Sequence, residues 1–195
     1  MNASKRQIEI MAPAGSYESL MAALHAGASS IYFGVEQLNM RARATNNFHL
    51  DDLPKIASIC KKEKVKTYLT VNTILYDHDI VLMKKICDAA KTAGIGAIIA
   101  SDFAVLQYAQ QIKQPVHIST QMNISNIESV RFFAQYADVL VLARELTISQ
   151  IKDICEQIQK QNICGPAGEI VKIEVFVHGA LCVAISGKCY MSLAT

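Results

Sequence analysis

The stretch YLTVN (68–72) decides the fold. Its side chains alternate: Tyr68, Thr70 and Asn72 share one side, and Leu69 and Val71 the other. Period-two alternation marks a strand with two different faces. The same pattern recurs further along. In HISTQ (117–121), His117, Ser119 and Gln121 oppose Ile118 and Thr120. In EVFVH (174–178), Glu174, Phe176 and His178 oppose Val175 and Val177. In IEIM (8–11), Glu9 and Met11 oppose Ile8 and Ile10.

Three more β-rich runs lie between these: IYFGV (31–35), AIIAS (97–101) and VLVLA (139–143). Helical patterns with apolar residues three and four apart separate all seven runs. In the first, SYESLMAALHAG, Ser16 is the expected N-cap and Gly27 the expected stop. Strands joined by helical crossovers pair in parallel. The choice is between an open doubly wound sheet and a closed (β/α) barrel. An open sheet is covered by helices on both faces, so its strands read as continuous apolar runs. Here the first, third, fifth and seventh strands each carry a polar face. Residues from alternate strands share layers inside a barrel. The expectation is therefore α/β, a parallel TIM-like (β/α) barrel, incomplete at about seven strands and forming one domain over residues 1–195. A further strand finds no room, so the sequence reads as a fragment, a truncated frame or an incomplete barrel. Its open edge invites homo- or hetero-oligomers. Buried carboxylates and imidazoles need partners, and Glu9, His117, Glu174 and His178 are expected to supply one another.

Hydrophobic residues make up 51% of the chain and charged residues 18%, which excludes a disordered polypeptide. A formal net charge of +2 gives no electrostatic case for nucleic acid by itself. Lys61, Lys62, Lys64 and Lys66 close a helix, where cations suit the dipole. No run approaches the roughly 18 apolar residues of a membrane span, and the N-terminus lacks a signal-peptide pattern. A cytoplasmic location without membrane contact is expected, and there cysteines are thiols or metal ligands. Cys60, Cys87 and Cys155 fall in apolar helical patterns and read as core thiols; Cys164 sits in a loop. YDHD (76–79) opens a helix, so capping explains it better than a metal. Neither HExxH nor GxSxG is present.

Barrel chemistry sits at the carboxyl ends of the strands. Asn39, Arg41 and Arg43 follow the second strand; Asn72, Gln121 and Arg144-Glu145 end the third, fifth and sixth. These are the candidate substrate-binding residues. Arg41 and Arg43 suit a carboxylate or phosphate, or are ordinary surface arginines. Arg144 and Glu145 form a structural pair or contact a ligand. Glu174 and His178 are an acid/base pair or a hydrogen-bonded core pair.

The segment EVFVHGALCVAISGKCYMS (174–192) resembles the signature of the collagenase-like peptidase family, peptidase family U thirty-two. The matching residues are Glu174, Phe176, Gly179, Cys182, Gly187, Cys189 and Ser192. MAPAGSYESLMAALHAGASSIYFGVEQLNMRARA (11–44), HISTQMNISN (117–126) and VLARELT (141–147) resemble the family's opening and middle. The likeness covers nearly the whole chain and corresponds to the N-terminal part of longer members. It implies oxygen-independent, prephenate-dependent hydroxylation of RNA, such as a tRNA wobble uridine or a ribosomal cytidine. A small carboxylated donor and tRNA or ribosomal RNA are then the partners. It also implies a [4Fe–4S] cluster, with Cys182 and Cys189 as its first two ligands. Four thiolates are usual, so the ligand set here is incomplete. The family name implies a protease instead, with Cys182 or Cys189 as nucleophile and His178 as base. An inactive fragment of a longer iron–sulfur protein is the third expectation.

Overall fold

The computed structural model describes residues 8–35, 37–40, 48–179 and 184–188. Seven strands and six α-helices alternate along it. They run β1 (Met11–Pro13), α1 (Tyr17–His25), β2 (Ser30–Phe33), α2 (Leu53–Lys62), β3 (Lys66–Val71), α3 (Ile80–Ala93) and β4 (Ala97–Ala100). Then follow α4 (Phe103–Gln111), β5 (Val116–Ile118), α5 (Ile127–Phe133), β6 (Val139–Val141), α6 (Ile148–Lys160) and β7 (Lys172–Glu174). Every neighbouring pair is parallel, and the sheet order is β1-β2-β3-β4-β5-β6-β7.

That order settles the architecture. A doubly wound sheet reverses direction at a switch point. Here each crossover steps one strand further the same way, and the sheet curls into an incomplete TIM-like barrel. The two faces differ as the alternation required. Ile31, Phe33, Leu69, Val71, Ile98, Ala100, Ile118 and Leu140 belong to the main core with the helices. The inner face carries a separate small cluster of Tyr68, Ala97 and Ile99, with Met11 and Tyr32 against it. Cross-strand partners share a face. The pairings Tyr32↔Tyr68, Thr70↔Ile99, Ile99↔His117, His117↔Val139 and Val141↔Glu174 therefore put His117 and Glu174 on the inner face too.

The local signals act as expected. Ser16 caps α1 in a reciprocal box with Ser19, and Gly27 just beyond the helix takes φ 83°. At YDHD, the Asp79 carboxylate accepts the Tyr76 N–H at 2.9 Å ahead of α3. Cys60 and Cys87 are fully buried; Cys155 is only partly so.

Both outer strands differ from the sequence reading. β1 begins at Met11, so Glu9 precedes it. β7 ends at Glu174, where the alternation of EVFVH predicts a strand to His178. Val175, Phe176, Val177 and His178 are exposed. Their neighbour β6 is only three residues long, so no ladder continues past Val141↔Glu174. Lys66 does not belong to the helix end: it opens β3 and turns to Glu9.

Candidate functional site

Five residues, Lys66, Glu9, Tyr68, His117 and Glu174, form a continuous row. The Tyr68 hydroxyl donates to Glu9 Oε1 at 2.7 Å, and Lys66 Nζ donates to Glu9 Oε2 at 2.5 Å. Burial alone raises the Glu9 carboxyl, but the Lys66 and Tyr68 hydrogen bonds outweigh it and hold the group below its ordinary value. Burial, and then the bond to Glu9, push the Tyr68 phenol well above its ordinary value, so it stays a donor. The Tyr68 ring lies against His117, with centroids 4.3 Å apart. His117 Nδ1 lies 3.6 Å from Glu174 Oε2. That is an ion-pair distance, longer than a hydrogen bond.

The four polar residues expected to satisfy one another are thus partly regrouped. His117 and Glu174 approach each other. Glu9 is served by Lys66 and Tyr68. His178 is exposed, and among the described residues no hydrogen bond or ion pair joins it to Glu174. The core-pair reading of Glu174 and His178 therefore fails, because β7 stops at Glu174. Lys66 and Tyr68 were missed, although both share the polar side of the third strand by simple alternation.

At the carboxyl ends, Asn39 is buried, and its Nδ2 donates to the Val35 carbonyl at 2.8 Å. It shapes the loop after β2, and a Cβ at Gly34 would meet its side chain at 2.5 Å. Asn72 Oδ1 accepts the Met40 N–H at 3.2 Å, and its Nδ2 reaches Ser119 Oγ at 3.5 Å. Gln121 lies in a 3-10 turn, Thr120–Met122, with its N–H toward Ser119 Oγ at 3.4 Å. Asn39 and Gln121 thus brace their own loops, and Asn72 ties the two together through Met40 and Ser119.

Arg144 and Glu145 grip residues 184–188. Arg144 Nη2 donates to the Ala184 carbonyl at 2.9 Å, and its N–H to Ser186 Oγ at 3.2 Å. Glu145 Oε1 accepts the Ser186 N–H at 2.7 Å. That bond, chiefly, holds the Glu145 carboxyl below its ordinary value. Gly187 takes φ 78°, and a Cβ there would meet the Gln121 carbonyl oxygen at 2.5 Å. The structural pair was expected between Arg144 and Glu145 themselves; their hydrogen bonds run instead to Ala184 and Ser186, in a segment seated on the ends of β5 and β6.

Arg41, Arg43, Cys182 and Cys189 lie outside the described residues. Among the described residues no group of three or more His, Cys, Asp or Glu is placed to hold a metal. Cys164 is far in the fold from the carboxyl ends of the strands. It sits between α6 and β7, at the amino end of the sheet, bridged to Ile170. A cavity of about 420 Å³ also lies at that amino end, lined by Glu9, Glu63, Lys64 and Lys66 among others. It is remote from the rim.

A parallel sheet of seven strands in sequence order, curled with helices on its outer side, defines an incomplete α/β TIM-like barrel. The profile of Peptidase family U32 matches residues 15–195, and the chain belongs to that family. It is 62% identical over 185 residues to a collagenase of Porphyromonas gingivalis, covering 95% of this chain and 45% of that protein. It is 30% identical over 187 residues to tRNA hydroxylation protein P1 of Bacillus subtilis, covering 94% and 42%. The chain thus spans less than half the length of these relatives. A solved U32 peptidase structure superposes with a TM-score of 0.66 at 12% identity, covering 90% of this chain and 70% of that one, which concerns the fold alone.

Proposed function

We propose that the chain is a component of oxygen-independent, prephenate-dependent hydroxylation of RNA, with a tRNA wobble uridine as the target. The observation that carries this is the setting of His117 and Glu174. Both stand on the concave face of a half-barrel, with His117 8% exposed. A small polar group inserted into the barrel suits that position. The Bacillus subtilis relative, described as a tRNA hydroxylation protein, supports the reading. Arg41 and Arg43 are the proposed clamp for the carboxylated donor, since Arg144 is engaged with Ala184 and Ser186. Cys182 and Cys189 flank the strapped segment and are the proposed thiolate ligands of an iron–sulfur cluster, which supplies electron transfer when bound. Among the described residues no further cysteine lies near residues 184–188.

The test is nucleoside mass spectrometry of tRNA from a strain lacking this gene. Loss of wobble hydroxyuridine and its derivatives is the expected result, restored by the gene in trans. Unchanged tRNA removes the proposal.

A second reading, a peptidase, rests on the 62% identity to a protein described as a collagenase. Gelatin cleavage by purified protein that disappears in Cys182→Ser or Cys189→Ser supports thiol chemistry. Cleavage that survives both changes points away from it.

A further inference from the structure

His117 presents an anomaly that the fold does not require. Its Nδ1 is sealed from solvent and has no hydrogen-bond partner. The side chain as a whole is only 10% exposed. A histidine serving the core satisfies its buried nitrogen, and an orphan calls for an explanation. The Glu174 carboxylate stands 3.6 Å from that nitrogen, and the Tyr68 ring closes one side at 4.3 Å. Catalytic hydrogen bonds are often long before substrate binds and tighten in the complex.

We propose that His117 and Glu174 form a carboxylate–imidazole dyad that takes a proton from a hydroxyl or ring N–H of a small group entering the half-barrel. This deepens the function proposed above and rests on that reading of the inner face. The Glu174 charge favours the tautomer with its proton on Nδ1, which leaves the Nε2 lone pair for the substrate. The substrate O–H or N–H bond breaks, its electron pair stays on the substrate, and the proton forms a bond to Nε2. The resulting imidazolium is stabilised by Glu174. No oxidant or further reactant is needed for this step. His117 is the catalytic residue and Glu174 the positioning residue.

The surroundings define the ligand class. Two carboxylates, Glu9 and Glu174, serve the inner face, and the lysines that share its register among the described residues, Lys66 and Lys172, are paired with Glu9 and Glu169. An anionic group at the dyad meets repulsion from Glu174. The group that docks is therefore neutral and a donor. A metal ion is a poorer fit, because His117 and Glu174 give two ligands and no third completes a set among the described residues.

Two measurements test the proposal. The first is long-range proton–nitrogen NMR on intact ¹⁵N-histidine-labelled protein at mildly alkaline pH, with the His117 signal assigned by its loss in His117→Gln. The expected result is the Nδ1–H tautomer in the wild type, moving toward Nε2–H in Glu174→Ala. An Nε2–H tautomer in the wild type, or one indifferent to Glu174→Ala, overturns the dyad. The second is tRNA modification in the complemented deletion strain. His117→Gln is expected to lower it by about 100-fold or more, and Glu174→Ala by a smaller factor. Full modification by a His117→Gln protein that melts like the wild type also overturns the proposal. Should deletion of the gene leave tRNA unchanged, the RNA reading fails, while the tautomer measurement still decides the dyad.

Discussion

Glu9 carries two donated hydrogen bonds, from Lys66 and Tyr68, and its carboxyl titrates below the ordinary range. A carboxylate with a folded-state value below its unfolded one stabilises the fold at higher pH. That contribution is fully present above the unfolded pKa and fades as pH falls through the folded one. Glu9→Gln is therefore expected to cost about 1 kcal/mol near neutrality, the net worth of a hydrogen bond to a charged group that keeps some solvent contact. Denaturant titrations should show the difference from wild type shrinking between about pH 5 and pH 3. A pH-independent difference would assign the loss to packing. Gly187 makes a second prediction at this scale. An alanine there must hold φ near 78° and place its Cβ 2.5 Å from the Gln121 carbonyl oxygen. Roughly 1–3 kcal/mol of strain is expected, released by lifting residues 184–188 off the rim. Hydrogen exchange at the Ser186 amide, which bonds Glu145 at 2.7 Å, reads this directly. Gly187→Ala and Glu145→Ala should both accelerate it, and an unchanged rate in both would refute the strap.

The helices show how far element-level reasoning carries from sequence. Cys60 and Cys87 fall beside isoleucines in the α2 and α3 patterns, and both are buried. Burial, with the Asp88 charge adding to it, pushes the Cys87 thiol up to about 12, and burial raises Cys60. Since the thiolate is the reactive form, iodoacetamide at about pH 8 should spare Cys60 and Cys87 in the native protein. Peptide mapping checks this; alkylation of Cys87 at its unfolded-state rate would contradict the packing. The sheet was legible for the same reason as the helices: alternation in YLTVN and HISTQ reports faces, and faces report the curl. What was not legible is where the alternation stops. EVFVH alternates as cleanly as YLTVN, yet β7 ends at its first residue, because pairing depends on a neighbour and β6 is short. His178 was placed inside by a pattern that has no strand beneath it. Lys66 was hidden differently: it reads as a helix-end cation, and although alternation puts Tyr68 on the polar face, only Glu9 opposite reveals the task the two share.

Across the whole molecule, Tyr68 links the two ends of the sheet. Its hydroxyl bonds Glu9 beside β1, and its ring packs on His117, which faces Glu174 at the end of β7. The first and last strands lie at opposite edges of a seven-stranded sheet. Curling brings their carboxylates to either side of one tyrosine and its neighbouring imidazole. The two functions of Tyr68 are separable. Tyr68→Phe removes the donor to Glu9 but keeps the ring on His117. It is expected to cost about 1–3 kcal/mol, because Glu9 loses a partner in a half-buried place, and to leave the His117 tautomer unchanged. Tyr68→Ala removes both and opens a void beside Ala97 and Ile99, at a cost of roughly 3–5 kcal/mol by analogy with other aromatic truncations. His117 then loses the ring that holds its plane toward Glu174, so its tautomer preference should weaken as in Glu174→Ala. Denaturation curves and the nitrogen spectra together decide the matter. If Tyr68→Phe disturbs the imidazole as much as Tyr68→Ala does, the row is coupled through the Glu9 hydrogen bond and not through ring packing.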